Sequence, residues 1–121
     1  MFEEDSLTYK IIGCAMKVHN KLGCGFQEVI YQRCLAKEFE LAGLSYEREK
    51  EMEIYYNDEM VGTRRLDFLV ENQVIVELKA LAKLGNVHLV QSINYLKIFN
   101  LEVGLLINFG STSLETKRLF K

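Results

Sequence analysis

The feature that most constrains this chain is the run Val103-Gly104-Leu105-Leu106-Ile107-Asn108-Phe109, apolar almost without a break. A strand of this kind is covered on both faces and lies in the interior of a sheet, usually beside a parallel neighbour. The segment before it, from about Asn86 to Asn100, has helical periodicity and is apolar on more than half its circumference. Before that comes a second apolar strand, Val74 to Ala80. A strand–helix–strand crossover within one sheet is right-handed and sets its two strands parallel. The centre of the fold is therefore a mixed sheet flanked by helices.

The rest of the chain fits around that unit. Leu7, Ile11, Ala15, Val18 and Leu22 recur at helical spacing, which predicts a helix from about Asp5 to Leu22 with Asp5 or Ser6 as its cap. Gly23-Cys24-Gly25 ends it. A second helix is expected from about Gln27 to Ala42, with Tyr31, Cys34, Leu35, Phe39 and Ala42 inward and Gly43 as terminator. The period then changes to two. Met52 to Tyr56 and Val61 to Val70 read as strands joined by an Asn57-Asp58 turn, and Glu71-Asn72-Gln73 leads into Val74 to Ala80. Residues 111–121 are amphipathic but too short to assign. With no proline and no repeat, the 121 residues are expected to form one α/β domain with a mixed sheet.

Composition excludes several classes. No apolar run approaches ~18 residues, so no membrane helix is expected. Met1-Phe2-Glu3-Glu4-Asp5 is acidic where a secretory leader is basic, which makes a cytoplasmic setting the default. A net charge of −2 argues against a sequence-independent DNA coat protein. It is weaker evidence against a nuclease, whose bound cations restore positive potential locally. Cys14, Cys24 and Cys34 have neither disulfide nor zinc spacing and read as small thiols in a reducing compartment.

Two charges interrupt the strand Val74 to Ala80. Glu77 and Lys79 lie two residues apart, so both point to one face. Charges in an interior strand are costly unless paired, hydrated or bound to a metal, and such a breach of local patterning marks a candidate site. Asp67 interrupts the preceding strand. It lies opposite Glu77 if Glu71-Asn72-Gln73 forms a three-residue hairpin loop, or an equivalent bulge intervenes; a two-residue loop would put it on the other face. Asn72 best tolerates the left-handed conformation such a loop wants. If the two meet, their oxygens and a backbone carbonyl such as that of Leu78 suit Mg²⁺ or Mn²⁺, with Lys79 orienting water or stabilising charge on a phosphate. A structural Asp/Glu–Lys network is the competing reading.

Asp67 followed by Glu77-Leu78-Lys79 resembles the D…(D/E)xK signature of the PD-(D/E)xK nuclease superfamily. Gly25-Phe26-Gln27-Glu28-Val29-Ile30-Tyr31 resembles the motif that names the GxxExxY proteins, a branch of that superfamily. So do Arg65 to Val70, His88 to Leu96 and Gly104 to Phe109, in the right order, over nearly the whole chain from about His19. The superfamily's proline is absent; Arg65-Leu66 precedes the aspartate. The resemblance implies a restriction-endonuclease-like αβββαβ core with one extra N-terminal helix. It implies Asp67 and Glu77 as metal ligands, Lys79 as the catalytic lysine, and Glu28 as a helical carboxylate completing the metal shell. Glu28 also reads as a helix-start acid favoured by the dipole.

Gln91 and Tyr95 share one helix face, as does His88. Some superfamily members use a Q-x-x-x-Y pair beside the substrate; partly buried polar residues with hydrogen-bond partners are the alternative. Tyr31 and His19 read as packing residues. Arg64, Arg65, Lys83, Lys117, Arg118 and Lys121 are candidate phosphate contacts or simply solvated surface. No Walker loop, G-x-G-x-x-G or Ser/His/Asp arrangement is present. The leading expectation is a Mg²⁺-dependent nuclease acting on DNA or RNA. A non-catalytic binding module on the same fold is the alternative, and a structural or antitoxin-like partner protein a third. A homodimer would add substrate-binding surface that so small a chain lacks.

Overall fold

A computed structural model describes residues 4–121, and side chains from Ser6 onward. Two helices come first, α1 (Glu4–Leu22) and α2 (Glu28–Leu41). Three strands follow, β1 (Tyr46–Tyr56), β2 (Glu59–Val70) and β3 (Val74–Lys79). Then come α3 (Asn86–Phe99), β4 (Val103–Asn108) and β5 (Glu115–Phe120). The five strands form one mixed sheet in the order β1-β2-β3-β4-β5. Only β3 and β4 pair in parallel, as the crossover through α3 requires. The architecture is the expected restriction-endonuclease-like α+β fold, with α1 as the extra helix.

Helices cover both faces of the sheet. On one side Leu7, Ile11, Ala15 and Val18 of α1 and Tyr31, Leu35 and Phe39 of α2 pack on Phe68, Val76, Leu78, Leu105 and Ile107. On the other, Tyr95 and Leu96 of α3 pack on Leu66, Leu69, Ile75 and Leu106. β4 is buried along its whole length. Each large aliphatic side chain so enclosed contributes roughly 1.5–3 kcal/mol. No described helix is long and apolar enough to cross a membrane.

Several boundaries differ from expectation for identifiable reasons. Ser6 lies inside α1 rather than capping it, Asp5's side chain is outside the described residues, and so are Met1, Phe2 and Glu3 of the acidic N-terminus. β1 begins six residues before Met52, because an exposed edge strand needs no apolar alternation and Glu47 to Glu51 carry charge instead. The tail forms β5, antiparallel to β4, with only Leu119 buried. Ala42, expected inward, is the exposed C-cap of α2. The Asn57-Asp58 turn forms as read, both residues left-handed.

Candidate functional site at the parting of β2 and β3

The β2–β3 hairpin has the odd register on which the site depends. Val70 pairs with Val74, Leu69 with Ile75 and Phe68 with Val76, so the loop is Glu71-Asn72-Gln73. Glu71 and Asn72 both take positive φ, and Gln73 N–H closes the turn on the Val70 carbonyl. Sequence alone favours Asn72 for the left-handed position; Glu71 joins it, its N–H donating to the Ser45 carbonyl and its carboxylate accepting from Ser45 N–H.

Ladder pairing stops at Phe68 and Val76, and side chains take over. Asp67 N–H donates to Glu77 Oε2 at 2.8 Å, and Leu78 N–H donates to Asp67 Oδ2 at 2.8 Å. Each carboxylate fills the gap left by the missing backbone bond of the other strand. The neighbouring edge strand is distorted at the same level: Glu49 has φ 54°, and pairing skips from Arg48–Phe68 to Lys50–Leu66. At the same level the two-residue alternation of β2 slips. Leu66 packs on the α3 side while Phe68 packs on the α1–α2 side. This local irregularity, akin to a bulge, re-aims Asp67 into the notch between the strands.

The notch gathers further groups. Arg64 places its guanidinium 3.2 Å from Glu77 Oε1 and 5.0 Å from the centre of the Tyr95 ring. From α2, Gln32 Nε2 donates to Asp67 Oδ1 at 2.9 Å. All four carboxylate oxygens of Asp67 and Glu77 therefore accept one hydrogen bond from the protein. Burial pushes the Glu77 carboxyl up to about 7, the Asp67 charge adds to the rise, and the Asp67 N–H and Arg64 oppose it. Burial also raises the Tyr95 phenol, with Arg64 pulling it back and Glu77 adding to it; Gln91 lowers it through a hydrogen bond.

Glu28 lies at the start of α2 with a solvent-exposed edge. Its carboxyl is raised first by loss of water around it; Lys79 lowers it, Asp67 raises it and His88 lowers it. Glu28 thus lies within electrostatic reach of Lys79, Asp67 and His88. Lys79 has no ion pair among the described residues, and its carbonyl accepts Phe109 N–H. Among the described residues no three His, Cys, Asp or Glu side chains form a group able to hold a metal ion. The arrangement brings Asp67 and Glu77 together with Arg64, and holds Glu28 and Lys79 within electrostatic reach.

Two residues of the site were not singled out by sequence. Gln32 is buried on the inner face of α2, one turn after Glu28, and its Oε1 has no partner. A polar residue on that otherwise apolar stripe was the available signal. Asn108 is fully buried in the apolar run of β4. Its Oδ1 accepts Leu81 N–H and Gly110 N–H, and its Nδ2 donates to the Leu81 carbonyl and to Glu115. It fixes the chain just beyond Lys79. Other expectations sort by position. Tyr31 is buried, donates to the Gly23 carbonyl at 2.6 Å and stacks on Phe109, so it packs and pins the Gly23–Phe26 turn. His19 packs near Phe109 and bonds the Ser111 carbonyl through Nε2. Lys117 and Arg118 lie on β5, at the far edge of the sheet from β1, and Lys121 pairs with Glu102.

The fold and the carboxylate pair at the parting of two strands define a nuclease-like α+β domain. Residues 5–119 match the model of the PD-(D/E)XK nuclease superfamily, and the chain belongs to it. Among solved structures, that of SSO0001 is similar with a TM-score of 0.63 at 20% identity, over 78% of this chain and 50% of that one. At that identity the likeness concerns the fold, and the chain spans half the length of SSO0001. No curated protein matches the chain.

Proposed function

We propose that residues 1–121 form one nuclease domain of the GxxExxY branch, hydrolysing phosphodiester bonds of DNA or RNA with the help of Mg²⁺ or Mn²⁺ in the cytoplasm. The observation that carries the reading is the hairpin register, which sets Asp67 and Glu77 at one notch with Lys79 on the same strand face as Glu77.

Two observations bear on whether the donor set fits a divalent cation. Burial, and after it the Asp67 charge, push the Glu77 carboxyl up, and a bound cation would offset both. Gln32 Oε1 is a buried oxygen without a partner, on the same amide that holds Asp67. Asp67 and Glu77 would be the ligands, with the Leu78 carbonyl, Glu28 and Gln32 Oε1 as further oxygens. Such a cation supplies polarisation of a phosphate oxygen and acidification of a bound water. The chain's own groups do the rest. Gln32 and the Leu78 N–H fix the Asp67 carboxylate. Arg64 offsets the charge of Glu77. The Lys79 ammonium stabilises charge developing on the phosphate. Gln91, Tyr95 and His88 border the notch from α3 and would contact the substrate. A homodimer would extend that surface.

A second reading keeps the fold as a non-catalytic nucleic-acid- or protein-binding module. It is favoured by the complete set of protein hydrogen bonds on the Asp67 and Glu77 oxygens. Cleavage of single- and double-stranded DNA and RNA with Mg²⁺ or Mn²⁺ decides between them. We expect hydrolysis that Asp67→Ala and Lys79→Ala each abolish. Activity surviving both substitutions would mark a contaminant, and inactivity on all four substrates would favour the module.

A further inference from the structure

Fifteen Lys and Arg residues are spread along an acidic chain, yet they are not spread evenly over its surface. Arg33 and Lys37 on α2 and Arg48 on β1 line one groove of about 380 Å³ together with Ala36, Glu40 and Tyr46. Lys37 also borders the adjoining cleft between α1 and α2, where Lys17 and Lys21 join it. The two clefts share Lys37 and so make one continuous belt. It holds five cations against two carboxylates, Glu38 and Glu40, and the Tyr46 hydroxyl donates to Glu40. None of the five cations forms an ion pair among the described residues, whereas Lys50, Arg64, Arg65 and Lys121 do.

The belt and the candidate site share the elements α2 and β1–β2. Arg33 follows Gln32, which holds Asp67, and Arg48 pairs with Phe68, the residue after Asp67. Arg33 and Lys37 are one helical turn apart on the exposed side of α2, about 5–6 Å between Cβ atoms. Unpaired cations with long apolar stems, arrayed beside a phosphodiesterase site, have the chemistry that grips phosphates without reading bases.

We propose that the belt formed by Arg33, Arg48, Lys37, Lys21 and Lys17 is the track for the sugar–phosphate backbone of a nucleic-acid strand leading away from the Asp67–Glu77 notch. The choice of a nucleic acid as the polyanion rests on the nuclease reading. The belt accounts for how a chain of net charge −2 holds a polyanion: binding is confined to one surface where five cations outnumber two carboxylates. It also makes α2 a shared element, its inner face fixing Asp67 and its outer face carrying the strand.

The test is fluorescence anisotropy with labelled single- and double-stranded DNA and RNA 20-mers, in EDTA and separately with Ca²⁺. Wild type is compared with the five-fold Lys/Arg→Gln belt variant and with a control variant, Lys117→Gln/Lys121→Gln, on the far edge of the sheet. All changed residues are exposed, and equal melting temperatures confirm that the variants fold. We expect the belt variant to bind at least tenfold more weakly at 0.1 M salt. Its log K against log salt slope on single strands should be shallower by about 3.5, since each of the five neutralised phosphate contacts contributes roughly 0.7. The control should bind as wild type does. The probe most weakened names the strand type the belt accepts. Belt-variant affinity equal to wild type, an equal loss in the control, or no binding by wild type to any probe would each overturn the proposal. The two readings fail separately: belt-dependent binding without cleavage removes the nuclease, and cleavage with an unchanged KM in the belt variant removes the belt.

Discussion

Gln32 holds Asp67 with its amide nitrogen while its amide oxygen stays buried and unpartnered. Gln32→Leu removes both atoms at similar volume. Partners that orient metal ligands typically cost 10–100-fold in affinity when lost, so we expect Mn²⁺ binding, measured by calorimetry, to weaken about tenfold. Gln32→Glu should bind Mn²⁺ more tightly than wild type yet melt lower without it, because a third carboxylate joins a pair already in repulsion. Unchanged affinity in both variants would show Gln32 to be packing only. Glu77 gives a pH-dependent outcome. Its carboxyl ionises at about 7 in the fold against 4.5 ordinarily, so the folded state binds its proton more tightly than the unfolded chain does. That preference stabilises the fold fully below about pH 4.5 and is lost as pH rises past about 7. Metal-free wild type should therefore lose stability relative to Glu77→Gln as pH rises between those limits. Parallel urea-unfolding curves of the two proteins across that range would contradict it.

At the scale of elements, β3 positions Glu77 and Lys79 only because its far end is fixed. Phe109 N–H bonds the Lys79 carbonyl, Asn108 clasps Leu81 from both sides, and Gly110 lies against the same turn. A Cβ at Gly110 would stand 2.3 Å from Leu81 N and 2.4 Å from Ala80 C, both backbone atoms that cannot rotate away. Gly110→Ala should cost at least the upper part of the ~1–3 kcal/mol range for overpacking, seen as a lower denaturant midpoint, and should lower cleavage by moving Lys79. The sequence made β3 and β4 legible because burial on both faces leaves an unmistakable apolar run, and α3 legible by its helical periodicity. It made the Asp67–Glu77 pairing conditional on a loop length, and that condition is met. The early start of β1 and the whole of β5 were hidden, since edge strands are held by backbone bonds that any residue supplies. The slip of alternation at Asp67 was hidden too. It coincides with a left-handed conformation at Glu49 in the neighbouring strand that nothing in the local sequence demands. Asn108 could have been found by the reasoning that found Glu77, as a polar break in an apolar strand.

Taken as a whole molecule, the protein spends stability to keep two acids side by side in a half-closed notch, with Arg64 as partial compensation. A cation that binds there binds the folded state alone and so stabilises it by mass action, about 2.7 kcal/mol at one hundred times its dissociation constant. For a domain of this size 1 kcal/mol moves the melting temperature by roughly 3–6 °C, so saturating Mn²⁺ or Mg²⁺ should raise it by about 10 °C. Asp67→Ala should abolish that rise. Lys79→Ala should retain it while losing cleavage, because the ammonium adds nothing to cation binding and repels the cation weakly. Thermal melts of the three proteins with and without metal therefore separate holding a cation from using it. Equal melting of wild type with and without either metal would leave Arg64 as the counter-charge for Glu77. The notch would then be a structural ion network, and the belt along α2 would be the surface of a binding module.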